Sequence, residues 1–139
     1  MRRADTFVKV VTGLGAASYL GAGAWAFLAP RSFYDTLATF PPYNEHFLHD
    51  IGSFQIGLGA ALLAALLTRD GIVVALAGSA AGGFVHFVSH VIDRDLGGSS
   101  TDPISLGMLV AAVALALWLR ARSVSTETPD GQARLEERG

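Results

Sequence analysis

The chain has 139 residues, 51% of them hydrophobic and 16% charged, with a net charge of −2 and no cysteine. So apolar a composition is unusual for a water-soluble domain and points to a membrane protein. The absence of cysteine excludes disulfides, thiolate metal sites and cysteine nucleophiles, and no basic stripe with interleaved aromatics suggests a nucleic-acid partner.

The first apolar run, about 7–29, follows Arg2, Arg3 and Lys9 and stops at Pro30-Arg31. A cleaved leader is the rival reading of this run. Its length, and the row Gly13, Ala17 and Gly21 at helix-packing spacing, favour a retained span. The second run, about 44–67, begins after Pro41-Pro42 and ends in the charged turn Thr68-Arg69-Asp70-Gly71. The third, about 72–92, ends at Asp93-Arg94-Asp95. The fourth, about 103–120, opens with Asp102 as an N-cap and Pro103 at the first helical position. Each is close to the roughly 20 residues that cross a bilayer. The expected fold is all-α: an integral membrane four-helix bundle with short connections over 1–122. A polar tail over 123–139, without an apolar period, reads as disordered.

Orientation follows from lysine and arginine near the span ends. Arg2, Arg3, Lys9, Arg69, Arg120 and Arg122 mark one side. On the other, Arg31 and Arg94 are surrounded by Asp35, Glu45, Asp93, Asp95 and Asp102. Both termini and the tail are therefore expected in the cytoplasm of a cell-membrane protein.

All four histidines lie in two clusters on the other side. His86, His90 and Asp93 share one face of the third span, since at about 100° per residue spacings of four and three stay within a narrow arc. His46, His49 and Asp50 open the second span. Small and polar residues mark packed faces in lipid. On the third span these are Ser79, Gly82, Gly83, His86, His90 and Asp93. On the second they are His46, Asp50, Ser53, Gly57, Ala60, Ala61, Ala64 and Thr68, with Gln55 opposite beside Gly52 and Gly59. The short turn at Arg69 makes these spans antiparallel neighbours, so the two polar faces are expected to converge near the outer surface, with Tyr19 bordering the same space.

Ionisable groups inside a membrane are costly and usually functional. The candidate ligand or metal residues are His46, Asp50, His86, His90 and Asp93, with His49, Tyr19 and Ser53 as further candidates. A metal ion would draw on His86, His90, His46 and Asp50. Non-covalent haem between histidines, or a quinone held by histidine and Tyr19, uses the same groups. A His-Asp proton relay is a further option, although the polar stripe thins towards the cytoplasmic half. The leading functional expectation is an accessory protein that binds a small ligand or metal. Its rivals are a structural subunit, in which the cluster clasps helices together, and a membrane redox protein using haem or quinone. No nucleophile elbow, P-loop or zinc-protease motif is present, so enzymatic chemistry rests on the histidine-aspartate cluster alone. The expected partners are the bilayer and a homo-oligomer or larger membrane complex.

Several stretches carry a resemblance: Pro30-Arg31-Ser32-Phe33-Tyr34, Pro42-Tyr43-Asn44-Glu45-His46, Asp50-x-Gly52 and His86-x3-His90. Together they resemble a group of small uncharacterised actinobacterial membrane proteins, and the four-span layout is similar to that of DoxX-like proteins. In that group a basic residue precedes Asp50, where this chain has His49. The resemblance therefore implies His46, Asp50, His86 and His90 as the site. It implies no specific activity beyond an analogy to redox or quinone-linked membrane roles.

Overall fold

A computed structural model of the chain describes residues 3–136, with side chains described over 3–125. It contains the helices α1 (Arg3–Leu28), α2 (Pro30–Thr36), α3 (Glu45–Thr68), α4 (Ile72–Ile92) and α5 (Asp102–Glu136), and no strand among the described residues. All but α2 are long and apolar enough to cross a membrane, in α5 over Asp102–Ser125.

Local chemistry sets the ends of these helices. Proline opens α2, where its missing N–H leaves no hydrogen bond unmade. Asn44 caps α3, its Oδ1 accepting from the Phe47 N–H at 3.1 Å. Arg69 and Gly71 both take left-handed backbone (φ 60° and 67°), which reverses the chain within three residues and sets α4 antiparallel to α3. The sequence reading places Asp102 as the N-cap of α5. Instead the helix begins at Asp102, and the Thr101 carbonyl accepts from both Ile104 and Ser105 at 3.1 Å. This one-residue shift leaves the Asp102 carboxylate free for other partners. The helix also runs on through 123–136, which reads as a disordered tail in the sequence. Residues 137–139 of that tail lie outside the described residues.

α1 and α3 pack against each other most closely. Their seam is made by glycine. A Cβ on Gly52 would lie 2.8 Å from the Gly23 carbonyl oxygen, and one on Gly59 would lie 2.8 Å from the Leu20 nitrogen. The row expected from spacing, Gly13, Ala17 and Gly21, is not this seam. Ala17 and Gly21 are exposed and nothing approaches Gly21 within 4 Å. The contact follows Thr12, Ala16 and Gly23, all buried, one helical face round.

α4 packs chiefly on α5, where Phe87 lies over Gly107. Contacts between the α1–α3 pair and the α4–α5 pair are sparser. One cluster of buried residues joins all four long helices: Val8 and Ala16 from α1, Leu62 and Ala65 from α3, Ile72 and Leu76 from α4, and Ala116 from α5. A second, Ala26, Phe33 and Leu48, holds α2 across the end of α1 and α3.

Candidate functional site

At the end carrying α2, the two helix pairs separate around a cavity of about 650 Å³. Phe33 and Tyr34 of α2, with Leu37, Phe40, Pro41 and Pro42 of the following segment, form one wall. Phe47, Leu48, Ile51 and Gln55 of α3 form the next. His86, Ser89 and His90 of α4, with its cap residue Asp93, face Asp102, Ser105 and Leu106 of α5. The lining is thus mainly apolar and aromatic, with polar groups gathered on α4 and α5.

Those polar groups are ordered by contact. His86 Nε2 and His90 Nε2 lie 3.1 Å apart, one turn along α4, so one nitrogen donates and the other accepts. His90 Nδ1 lies 3.6 Å from Asp102 Oδ2, a close approach beyond good hydrogen-bond length. The same carboxylate oxygen accepts the Ser99 N–H at 2.8 Å. His90 and Asp102 are well covered, with 15% and 29% of their side chains exposed, and the Phe40 ring stands edge-on to the His90 imidazole at 5.6 Å.

The loop before α5 fits closely around this group. Gly97 (φ 132°) and Gly98 (φ 81°) adopt backbone that a side chain disfavours. A Cβ on Gly97 would lie 2.8 Å from the Thr39 carbonyl oxygen, and one on Gly98 would lie 3.0 Å from both Phe40 and Asp102. The two loops at this end therefore interlock under Phe40. Gly97→Ala is expected to destabilise the protein by about 1–3 kcal/mol. It should also broaden the His90 side-chain NMR signals, because Phe40 no longer seats against the ring.

The remaining sequence-predicted residues lie elsewhere. His46 pairs with Asp50 at 3.6 Å within α3, with 87% and 56% of the side chains exposed, and neither lines the cavity. Ser53 is exposed too, its hydroxyl donating to the His49 carbonyl at 2.8 Å. The His49 ring lies against Phe27 of α1, and Tyr19 packs beside the central core. The expected convergence of the two histidine clusters is not what the structure shows. α3 turns its glycine face to α1, which rotates the His46–Asp50 face outward and brings Gln55 to the cavity. Asp93 lines the cavity as the cap residue of α4. Among the described residues no group of three or more His, Cys, Asp or Glu side chains is placed to hold a metal ion, so the four-residue set His86, His90, His46 and Asp50 is not assembled.

Asp102 and Gln55 are the residues missed as site candidates. Asp-Pro reads as a helix start, which hid a carboxylate turned back to the loop. Gln55 carried a signal in its cost, as a lone amide within an apolar span. Its Oε1 is buried with no hydrogen-bond partner among the described residues.

Outside the cavity, Arg31 braces the α2 segment. Its Nε donates to Asp35 at 2.9 Å, and its guanidinium lies over the Tyr34 and Tyr43 rings at 5.9 and 5.2 Å. The hydrogen bond and charge of Asp35 hold the Arg31 pKa above its ordinary value. The Tyr43 phenol is raised too, first by desolvation and then by Glu45, to which its hydroxyl donates at 3.3 Å.

Comparison with known proteins finds no matching family model, no matching curated protein and no matching solved structure.

Proposed function

We propose that this chain is an integral membrane four-helix bundle protein that binds a small, largely apolar ligand in the cavity between α2, α3, α4 and α5. The cavity itself is the observation that carries the reading. Its 650 Å³ falls within the range of about 300–1,000 Å³ usual for small-molecule sites. Apolar walls with a few convergent polar groups are the expected lining of such a site. An organic ligand suits it better than a metal ion, since only two imidazoles meet and His46 and Asp50 lie on the outer side of α3.

The test is to purify the full chain in mild detergent, extract it with organic solvent and measure bound compounds by mass spectrometry, with metal content and a visible spectrum alongside. A compound at near one-to-one stoichiometry is expected. A stoichiometric metal or a haem band, with no organic compound, would replace this reading by the metal or haem one.

A second reading is supported by the His90–Asp102 contact, which joins α4 to α5 at this end: the cluster as a structural clasp. On that reading His90→Ala lowers stability by about 1–3 kcal/mol, the cost of leaving Asp102 uncompensated, and no compound is recovered from the wild-type protein.

We further propose that the cavity opens near the outer membrane face and that both termini are cytoplasmic. Lys9, Arg69, Arg120 and Arg122 lie at the end opposite the cavity, while acidic residues surround Arg31 and Arg94 at the cavity end. Trp25, donating to Ser32 at 3.2 Å, and Trp118, beneath the Arg122 guanidinium at 4.0 Å, suit anchors at the two interfaces. A cysteine introduced as Ser99→Cys should react with a membrane-impermeant maleimide in intact cells. Labelling only after lysis would reverse the orientation.

A further inference from the structure

Resting on the ligand-binding reading above, we propose that the cavity selects an alcohol or phenol with an apolar body, whose hydroxyl donates a hydrogen bond to His86 Nδ1. The argument is one of proton bookkeeping along three side chains. The Asp102 carboxylate lies beside His90 Nδ1 at 3.6 Å. A negative charge there favours a proton on Nδ1 and disfavours a lone pair. With a single ring proton, held on Nδ1, His90 presents a bare Nε2. His86 Nε2 is 3.1 Å from that atom, so the shared proton belongs to His86 Nε2. A neutral imidazole carries one proton. His86 Nδ1 is therefore a lone pair on a cavity-lining residue, and no protein donor reaches it among the described residues.

The ligand group that satisfies this atom must be a donor. A ketone, an ether or an ester would set lone pair against lone pair. On the α3 wall, Gln55 has a buried Oε1 with no partner among the described residues, a second acceptor that also calls for a donor. A hydroxyl brings such a donor, which a ketone, an ether or an ester lacks. An anionic head group fits less well, because the carboxylates of Asp93 and Asp102 lie on the same side and would repel it. The Phe33, Phe40 and Phe47 rings supply the surface for the apolar body.

The experiment is calorimetric titration of the purified full chain in detergent with 4-hexylphenol and with its methyl ether, 4-hexylanisole. The two probes share shape and apolar surface and differ in the donor. The phenol is expected to bind about tenfold more tightly, the worth of one hydrogen bond to an otherwise unpaired acceptor. In His86→Phe the two should bind alike, with the ether affinity retained. Equal affinities in the wild-type protein would overturn the hydroxyl assignment while leaving the cavity as a binding site. Failure of both probes to bind would overturn the binding reading and this inference together. A phenol preference that survives His86→Phe would place the acceptor elsewhere and overturn the assignment. Should that variant not fold, nitrogen NMR of the histidine-labelled wild-type protein decides the point. His86 Nδ1 should be unprotonated and His90 Nδ1 protonated, and the reverse pattern would overturn the proposal.

Discussion

Gly52→Ala is expected to destabilise the protein by about 2–3 kcal/mol, whereas Gly57→Ala, five residues along the same helix, should be neutral or stabilise by up to about 1 kcal/mol. The two glycines have equal helix propensity and both lie in α3, so the difference isolates the seam with α1. At Gly52 the new methyl carbon would sit 2.8 Å from the Gly23 carbonyl oxygen and 3.0 Å from the Phe27 nitrogen. Both atoms are backbone and cannot rotate aside, so the helices must separate. Around Gly57 nothing lies within 4 Å, and only the intrinsic gain of alanine over glycine remains. Detergent-denaturation midpoints of the two variants measure the contrast. Equal shifts would mean that the α1–α3 approach is looser than described.

The second large effect concerns the cavity. Leu106→Trp should lower ligand affinity at least about a hundredfold, or about 2.7 kcal/mol, while the variant remains folded. Leu106 lines the cavity from α5. An indole in its place occupies the volume that the ligand would take, and the cavity has room for it without displacing backbone. Leu109 is 63% exposed on the same helix and does not line the cavity. Leu109→Trp therefore controls for the added bulk. The amount of co-purified compound, or calorimetry with 4-hexylphenol, reads the difference. Unchanged binding in Leu106→Trp would remove the cavity as the ligand site.

The helices were legible from composition and length. Four apolar runs bounded by proline, charged turns and caps correspond to four long helices, with ends displaced by a few residues except that α5 runs on from about 120 to Glu136. Which face of each helix points inward was less legible. α3 carries two rows of small residues, one through Gly52 and Gly59 and one through Gly57, Ala60 and Ala64, and spacing alone ranks them equally. Close packing ranks them differently, because a partner backbone can approach to hydrogen-bond distance only where Cβ is absent. That choice sends His46 and Asp50 outward and brings Gln55 in. The His86–His90 pair was legible because both residues sit on one helix, where periodicity fixes their relation. The role of Asp102 was not, since it depends on how a glycine-rich loop folds back under Phe40. No periodic pattern encodes that.

The pairing of helices also bears on how the chain is put together. α1 finds its tightest partner in α3, the next membrane-length helix to be made, and α4 finds its own in α5. Each pair is local in sequence, so neither has to wait for a distant segment before its main contacts can form, and low sequence separation favours rapid closure. Synthesis would deliver two hairpins in succession, each able to set within the bilayer before the other is complete. The cavity lies on the boundary where those two pairs meet, so its walls are complete only once both are in place. A compound held there would touch both halves, and its arrival would mark the end of assembly.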